Sequence, residues 1–180
     1  MLLTEVRAAL DRYAPADARE LAFRDRMLAL IRTPDPFSRR AFDPGHFTAS
    51  AFVLSPDRDR VLLILHKKLA RWLQPGGHLE AADASPFEAA RREVAEETGL
   101  VELVALGEGL FDIDVHAIPT RPDEPAHEHF DLRVVLGSPS LRVTDSDEVA
   151  GIRWVPLAEM DAVATDESVR RAVRKLRAMQ

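Results

Sequence analysis

The chain has 180 residues, enough for one domain with its own core and short for two. Its 46% hydrophobic and 30% charged composition excludes disordered and fibrous classes, and a net charge of -6 argues against general affinity for nucleic acid polymers or anionic membranes, which Lys and Arg drive. The absence of cysteine excludes disulfides, thiolate metal sites and cysteine nucleophiles.

Leu2, Leu3, Val6 and Leu10 fall at helical spacing, and Ala18, Leu21, Ala22, Met27, Leu28 and Ile31 extend a second apolar stripe up to Arg32. Charges at Glu5, Arg7, Asp11 and Arg12 interrupt the first stripe, so it lacks the apolar core of a signal peptide, and no run approaches the ~18 apolar residues of a membrane span. A cytoplasmic location is expected. Pro34 and Pro36 stop the helical pattern, and 38–44 reads as a linker.

From His46 the period changes. HFTASAFVL and VLLILH read as strands joined by the polar turn SPDRDR, and the run Val61 to Leu65 suits a strand buried on both faces. KKLARWLQPGGHLEAADASP reads as a long loop. A well-marked helix follows, with Ser85 as N-cap, Pro86 at the first helical position, Glu88 completing a capping box and Gly99 at the end. LVELVAL, LFDIDVHAI, HFDLRVVLG and GIRWVP are strand-like, LAEMD starts a short helix, and DESVRRAVRKLRAM is a terminal helix capped by Thr165 or Asp166. Strands mixed with helices give an α+β or three-layer α/β/α domain with a mixed sheet.

The capped helix poses the chemical question. Phe87, Ala90 and Val94 form its apolar face, while Glu93, Glu96 and Glu97 lie together on the other. Like charges three or four residues apart cost about 0.2–0.5 kcal/mol per pair, so a positive group is expected among them. An acidic helix face taken alone is ordinarily a solvated one. What changes the reading is PGGHLEAAD upstream, where Gly76 and Gly77 permit backbone conformations closed to other residues and let a carbonyl turn toward a ligand.

The segment GGHLEAADASPFEAARREVAEETGL, residues 76–100, resembles the Nudix box of the Nudix hydrolases. From Arg92 to Leu100 the family pattern R-E-U-x-E-E-x-G-U, with U apolar, is kept throughout. Two departures precede it: Asp83 stands for a Glu, and one extra residue lies before Arg92. The resemblance implies a Nudix-type α/β/α sandwich with a mixed sheet. The expected divisions are an N-terminal helical extension and linker over 1–44, the core over 45–160 and a C-terminal helix over 161–180. It also implies Mg²⁺-dependent hydrolysis of a diphosphate in a nucleoside-diphosphate-linked compound, with Mn²⁺ as a substitute cation.

Mg²⁺ takes oxygen ligands and is held by one or two carboxylates plus substrate phosphates. Glu96 and Glu97 are the expected main ligands, with Glu93 a third ligand or the base that deprotonates a metal-bound water. By similarity the Gly76 carbonyl completes the shell. Gly77 and Gly99 are structural in the motif, and Arg92 either pairs with Asp83 or orients a glutamate. Glu148, in the polar loop before GIRWVP, is a second candidate base, from a region where some relatives recruit a carboxylate.

For substrate, His127, His129, Asp131 and Arg133 alternate along HEHFDLRVV and share one strand face. Such a face ordinarily meets solvent, yet two His with Asp and Arg also suit a phosphate or metal cleft. His46 and His78 are candidates for the same cleft. Trp72 and Gln74 offer a base a stacking surface and a hydrogen-bond partner, or Trp72 is a core or rim aromatic. Substrate signatures of several relatives are absent, so the substrate stays open among nucleoside triphosphates, nucleotide sugars and dinucleotides. A non-catalytic nucleotide-binding domain is the alternative, disfavoured because all three box glutamates are present. A Nudix-fold prenyl diphosphate isomerase is disfavoured because its known members use a Cys. The N-terminal helices either cover the sheet or make a homodimer contact.

Overall fold

The N-terminal stripes become two helices in the computed structural model, α1 (Leu2–Arg12) and α2 (Ala18–Leu30). The structure describes residues 1–80, 82–144 and 146–179; Ala81 in the loop of the box, Asp145 in the TDSDE turn and Gln180 of the terminal segment lie outside the described residues. The strands are β1 (Gly45–Leu54), β2 (Arg60–His66), β3 (Arg71–Leu73), β4 (Gly76–His78), β5 (Val104–Ala105), β6 (Asp112–Ile118), β7 (His127–Gly137) and β8 (Ile152–Pro156). Helix α3 (Pro86–Thr98) lies between β4 and β5, and a 3-10 turn (Leu157–Ala162) and helix α4 (Glu167–Ala178) close the chain. Backbone pairing runs β3-β2-β1-β7-β5, with β4 on β1, β6 on β7 and β8 on β2. This is the α+β class expected from the sequence.

By packing, the chain divides into two compact units. The first comprises Met1–Ser50, Gly77–Ala90 and Glu108–Val134. Val6, Leu10, Met27, Leu30 and Ile31 are buried there, whereas Leu3, Ala18, Leu21 and Ala22 of the expected stripes are exposed, so each stripe faces inward only in part. Asp17 caps α2 by accepting from the Glu20 N–H at 2.8 Å, and the buried Glu20 carboxylate accepts from Tyr13 Oη at 2.7 Å and from the Ala16 N–H at 2.8 Å. Strands β6 and β7 pair antiparallel from Asp112↔Arg133 to Ile118↔His127. That register sets Asp114 opposite Asp131 and His116 opposite His129.

The second unit comprises Ala51–Gly76, Arg91–Gly107 and Val135–Gln180. Here β2 lies between β8, in register from Arg60↔Pro156 to Ile64↔Ile152, and β3. Val61, Leu62, Leu63 and Ile64 are all buried, as a two-sided strand requires. Asp166, one of the two expected caps, accepts from the Val169 N–H at 2.9 Å and starts α4.

Helix α3 is set by its termini as the sequence predicts. Ser85 Oγ accepts from the Glu88 N–H at 3.2 Å, and Gly99 leaves the helix at φ +73°, where an added Cβ would meet the Thr144 side chain at 2.8 Å. Two expectations are corrected. LVELVAL forms only the short strand β5 at its end, where Val104 and Ala105 pair with β7 and the Leu106 N–H donates to the Val135 carbonyl at 3.0 Å, while Val101 and Val104 are exposed. The loop-like segment before α3 holds the short strands β3 and β4, whose glycines and brevity hide any period. No helix among the described residues is long and apolar enough to cross a membrane.

Gly45 opens β1 at φ +154°, and a Cβ there would lie 1.8 Å from the Glu128 carbonyl oxygen. Backbone cannot yield to that clash. Gly45→Ala is expected to cost about 2–4 kcal/mol, read as a lowered denaturant midpoint at unchanged slope.

Candidate functional site

The capping signals at Ser85 and Gly99 fix where α3 starts and stops, and so fix which face its last two turns present. Those turns carry Arg92, Glu93, Glu96 and Glu97, all in the second unit. The Arg92 Nη1 donates to Glu93 Oε1 at 2.9 Å and to Glu96 Oε2 at 3.1 Å. These bonds fit one of the two roles expected of Arg92, orienting a glutamate; Asp83 accepts from the Glu80 N–H at 2.7 Å. One cation of the chain's own thus sits among the carboxylates.

One guanidinium does not balance them. Burial pushes the Glu97 carboxyl up to about 8, helped by the charges of Glu93, Glu148 and Glu96, and the hydrogen bond from the Gly76 N–H at 3.0 Å pulls the other way without prevailing. Burial also raises Glu93, whose side chain is only 13% exposed; Arg92 opposes this, and Glu96 and Glu148 add to it. Glu96 is the outermost, at 45% exposed. Glu148 is exposed in its loop, where its N–H donates to Ser146 Oγ at 3.2 Å, yet its charge acts on both Glu93 and Glu97. The structure thus gathers Glu93, Glu96, Glu97 and Glu148 into one field. For Gly76, the contact seen is its N–H on Glu97; Gly77 follows it in β4.

Beside Gly76 in sequence, Trp72 in β3 is half-buried and has the Arg153 guanidinium 4.1 Å above its ring, so one aromatic face is taken by a cation–π contact. Gln74 is also half-buried, in the link to β4. Trp154 is half-buried, and its Nε1 donates to the Leu141 carbonyl at 2.9 Å.

The first unit carries a different array. The alternating face of β7 is largely shut off from solvent: His127, Asp131 and Arg133 are buried and His129 half-buried, with β6 supplying carboxylates across the register. Arg133 Nε donates to Asp131 at 2.7 Å, its Nη1 to Asp112 at 3.2 Å, and its Nη2 lies 3.5 Å from Asp114. Burial works against that charge, but the three carboxylates more than offset it and raise the guanidinium above its ordinary value. Thr48 Oγ1 and Ser50 Oγ also donate to Asp131, at 3.1 and 2.7 Å. Arg133, a substrate-binding candidate in the sequence, therefore has its donors engaged within the fold.

His46, His78, His127 and His129 do come together, with His116 alongside. The His46 ring lies 5.0 Å from His78, 5.1 Å from His127 and 4.8 Å from His129, and His116 stands 5.6 Å from His129. Burial drives His129 down to about 2 and His78 to about 4, with neighbouring imidazoles adding to the effect, and it lowers His46 as well. What the sequence could not supply was His116 and the aspartates of β6, whose placement follows from strand register.

Comparison with known proteins places these features in context. Residues 44–176 match the family model described as NUDIX domain. A Bacillus subtilis (strain 168) protein, named provisionally as an 8-oxo-dGTP diphosphatase, is 28% identical over 110 residues, which are 61% of this chain and 66% of that protein. The match thus spans just under two thirds of the relative's length. Among solved structures, a NUDIX-family hydrolase from Clostridium perfringens is similar at 27% identity and a TM-score of 0.57, over 75% of this chain and 98% of that one. The NUDIX domain of Shewanella oneidensis NrtR, solved in complex with ADP ribose, shares the fold at 18% identity and a TM-score of 0.52, over 74% of this chain and 86% of that one.

The raised Glu97 carboxyl makes folding pH-dependent. A carboxyl whose folded value lies near 8 holds a proton that the unfolded chain has released above about 4.5, so folding loses stability as pH rises between the two. In metal-free protein, the thermal midpoint of wild type is expected to fall relative to that of Glu97→Gln across this window and to run parallel above it. Parallel profiles throughout would contradict the burial of an uncompensated charge.

Proposed function

The chain belongs to the Nudix hydrolase superfamily, and from that premise we propose that it is a Mg²⁺-dependent diphosphatase of nucleotide-type substrates, with Mn²⁺ able to substitute. The observation that carries the reading is the forced proximity of Glu93, Glu97 and Glu148 in a partly desolvated site whose charge Arg92 offsets only in part. A purely structural cluster gains nothing from carboxylates whose burial penalises their charge. All donors are hard oxygens, which fits Mg²⁺ or Mn²⁺ and disfavours softer ions.

In this reading Glu93, Glu96 and Glu97 hold the cation, with the Gly76 carbonyl as a further ligand. The bound ion supplies neutralisation of the diphosphate and a lowered pKa for the attacking water. Arg92 orients Glu93 and Glu96 through its two donated bonds. The Gly76 N–H fixes one oxygen of Glu97, leaving its other oxygen for the ion. Glu93 and Glu148 are the candidate bases, since each carries a carboxylate in the same field. Trp72 offers its remaining face, and Gln74 its amide, to the base of the substrate. The Bacillus relative makes nucleoside triphosphates with an oxidised purine the first compounds to try, ahead of nucleotide sugars and dinucleotides. A domain that only binds nucleotides would not need the intact carboxylate set.

Glu97→Gln tests the assignment. The variant is expected to retain cooperative unfolding while losing at least about 10²-fold in kcat for Mg²⁺-dependent phosphate or diphosphate release. A folded variant with unchanged kcat would remove Glu97 from the site.

A further inference from the structure

We propose that the first unit carries a second metal site, a tri-imidazole centre formed by His46, His127 and His129 and suited to a zinc-class divalent cation. It rests on other residues than the glutamate reading and stands or falls separately from it.

His127 and His129 are two apart on β7 and so project on one face, and His46 reaches them from β1, the strand hydrogen-bonded to β7. Each of the three offers a ring nitrogen, and these atoms lie within 4.8 Å of one another. The Nε2 atoms of His127 and His129 are 3.3 Å apart. Two nitrogens bound at 2.0–2.1 Å to one tetrahedral ion stand about 3.3 Å apart, so this pair already has the spacing of ligands; the widest spacing needs to close by at most about 1.5 Å. Side-chain rotation of the half-buried His129 provides that movement.

The hydrogen bonds set the rings in the ligating form. A backbone carbonyl only accepts, so at 3.1 Å from Ala41 O the Nδ1 of His46 must carry the proton, and the same holds for Nδ1 of His127 at 2.8 Å from Pro125 O. Both rings then present a lone pair at Nε2. Metal-bound histidines are oriented in this way, by a carbonyl or carboxylate on the nitrogen that does not bind. The decisive atom is His46 Nε2. Its residue is 1% exposed, and the atom is buried with no hydrogen-bond partner. A buried acceptor left unsatisfied is destabilising, and a metal bond at that position would remove the penalty. His129, beside His127, moves its own ring proton to Nδ1 when Nε2 takes the ion, so no net charge is lost from the ring.

The ligand set also states which ion. Three imidazoles favour Zn²⁺, Co²⁺, Ni²⁺ or Cu²⁺ over Mg²⁺, and three protein ligands leave a fourth position for water, the pattern of an open zinc site. The array therefore selects ions that the glutamates, as hard oxygens, do not.

Cobalt tests this directly, because tetrahedral Co²⁺ absorbs strongly in the visible and octahedral Co²⁺ weakly. Metal-stripped full-length protein titrated with Co²⁺ is expected to show intense visible bands saturating near one equivalent and bleached by Zn²⁺. Glu97→Gln should keep the bands, whereas His127→Gln and His129→Asn should each lose them while unfolding cooperatively. Should one histidine variant fail to fold, the other decides. Weak octahedral bands alone, bands that survive in a folded histidine variant, or bands lost only in Glu97→Gln would overturn the site.

Discussion

Carboxylates that burial pushes toward the neutral form are the constraint on which the second unit's chemistry depends. Glu97 is held by one backbone N–H, Glu93 by one guanidinium, and the charges of Glu96 and Glu148 bear on both. Such a cluster persists in a folded protein only if the surrounding structure over-determines it. The overdetermination is local and identifiable: Ser85 and Gly99 fix the ends of α3, Ala89, Ala90 and Val94 anchor its buried face, and Arg92 ties two of the glutamates together. The residual imbalance is what the proposed cation would neutralise, and an ion so held would lower the pKa of a water attacking a diphosphate.

The two units solve the burial of polar groups in different ways. In the second, the imbalance is left in place. In the first, Arg133 is charged in the interior but is enclosed by Asp112, Asp114 and Asp131, with Thr48 and Ser50 completing the hydrogen bonds of Asp131. A buried ion network of this kind holds together only when all its members are present, since removing one partner leaves the others uncompensated. The histidines next to it carry no such compensation at His46 Nε2, and that difference is what marks them as unfinished.

Much of this was legible in the sequence where the signal is local. The start and end of α3, the strand from His46, the cap of α4 and the glutamate spacing all follow from residues within a few positions of each other. Legibility failed where a property depends on a distant partner. The alternation of His127, His129, Asp131 and Arg133 is plain in the sequence, but its burial is not, because it comes from β6 and from a register that no local pattern encodes. LVELVAL has the composition of a strand, yet its bonds to β7 come from its end alone, at Val104, Ala105 and Leu106. Trp72 read locally suits a substrate platform and a rim aromatic equally, because the Arg153 contact from β8 that occupies one of its faces lies far along the chain.

The central claim is that the acidic cluster of α3 is a cation site. Electron paramagnetic resonance of free Mn²⁺ during titration of the folded protein measures it most directly, because the free ion's signal is lost on binding. The account predicts that wild type removes Mn²⁺ from solution in competition with Mg²⁺, and that a Glu93→Gln/Glu97→Gln double variant, still unfolding cooperatively, leaves it free. Equal uptake by the two proteins, or none by wild type in the presence of a diphosphate compound, would contradict it.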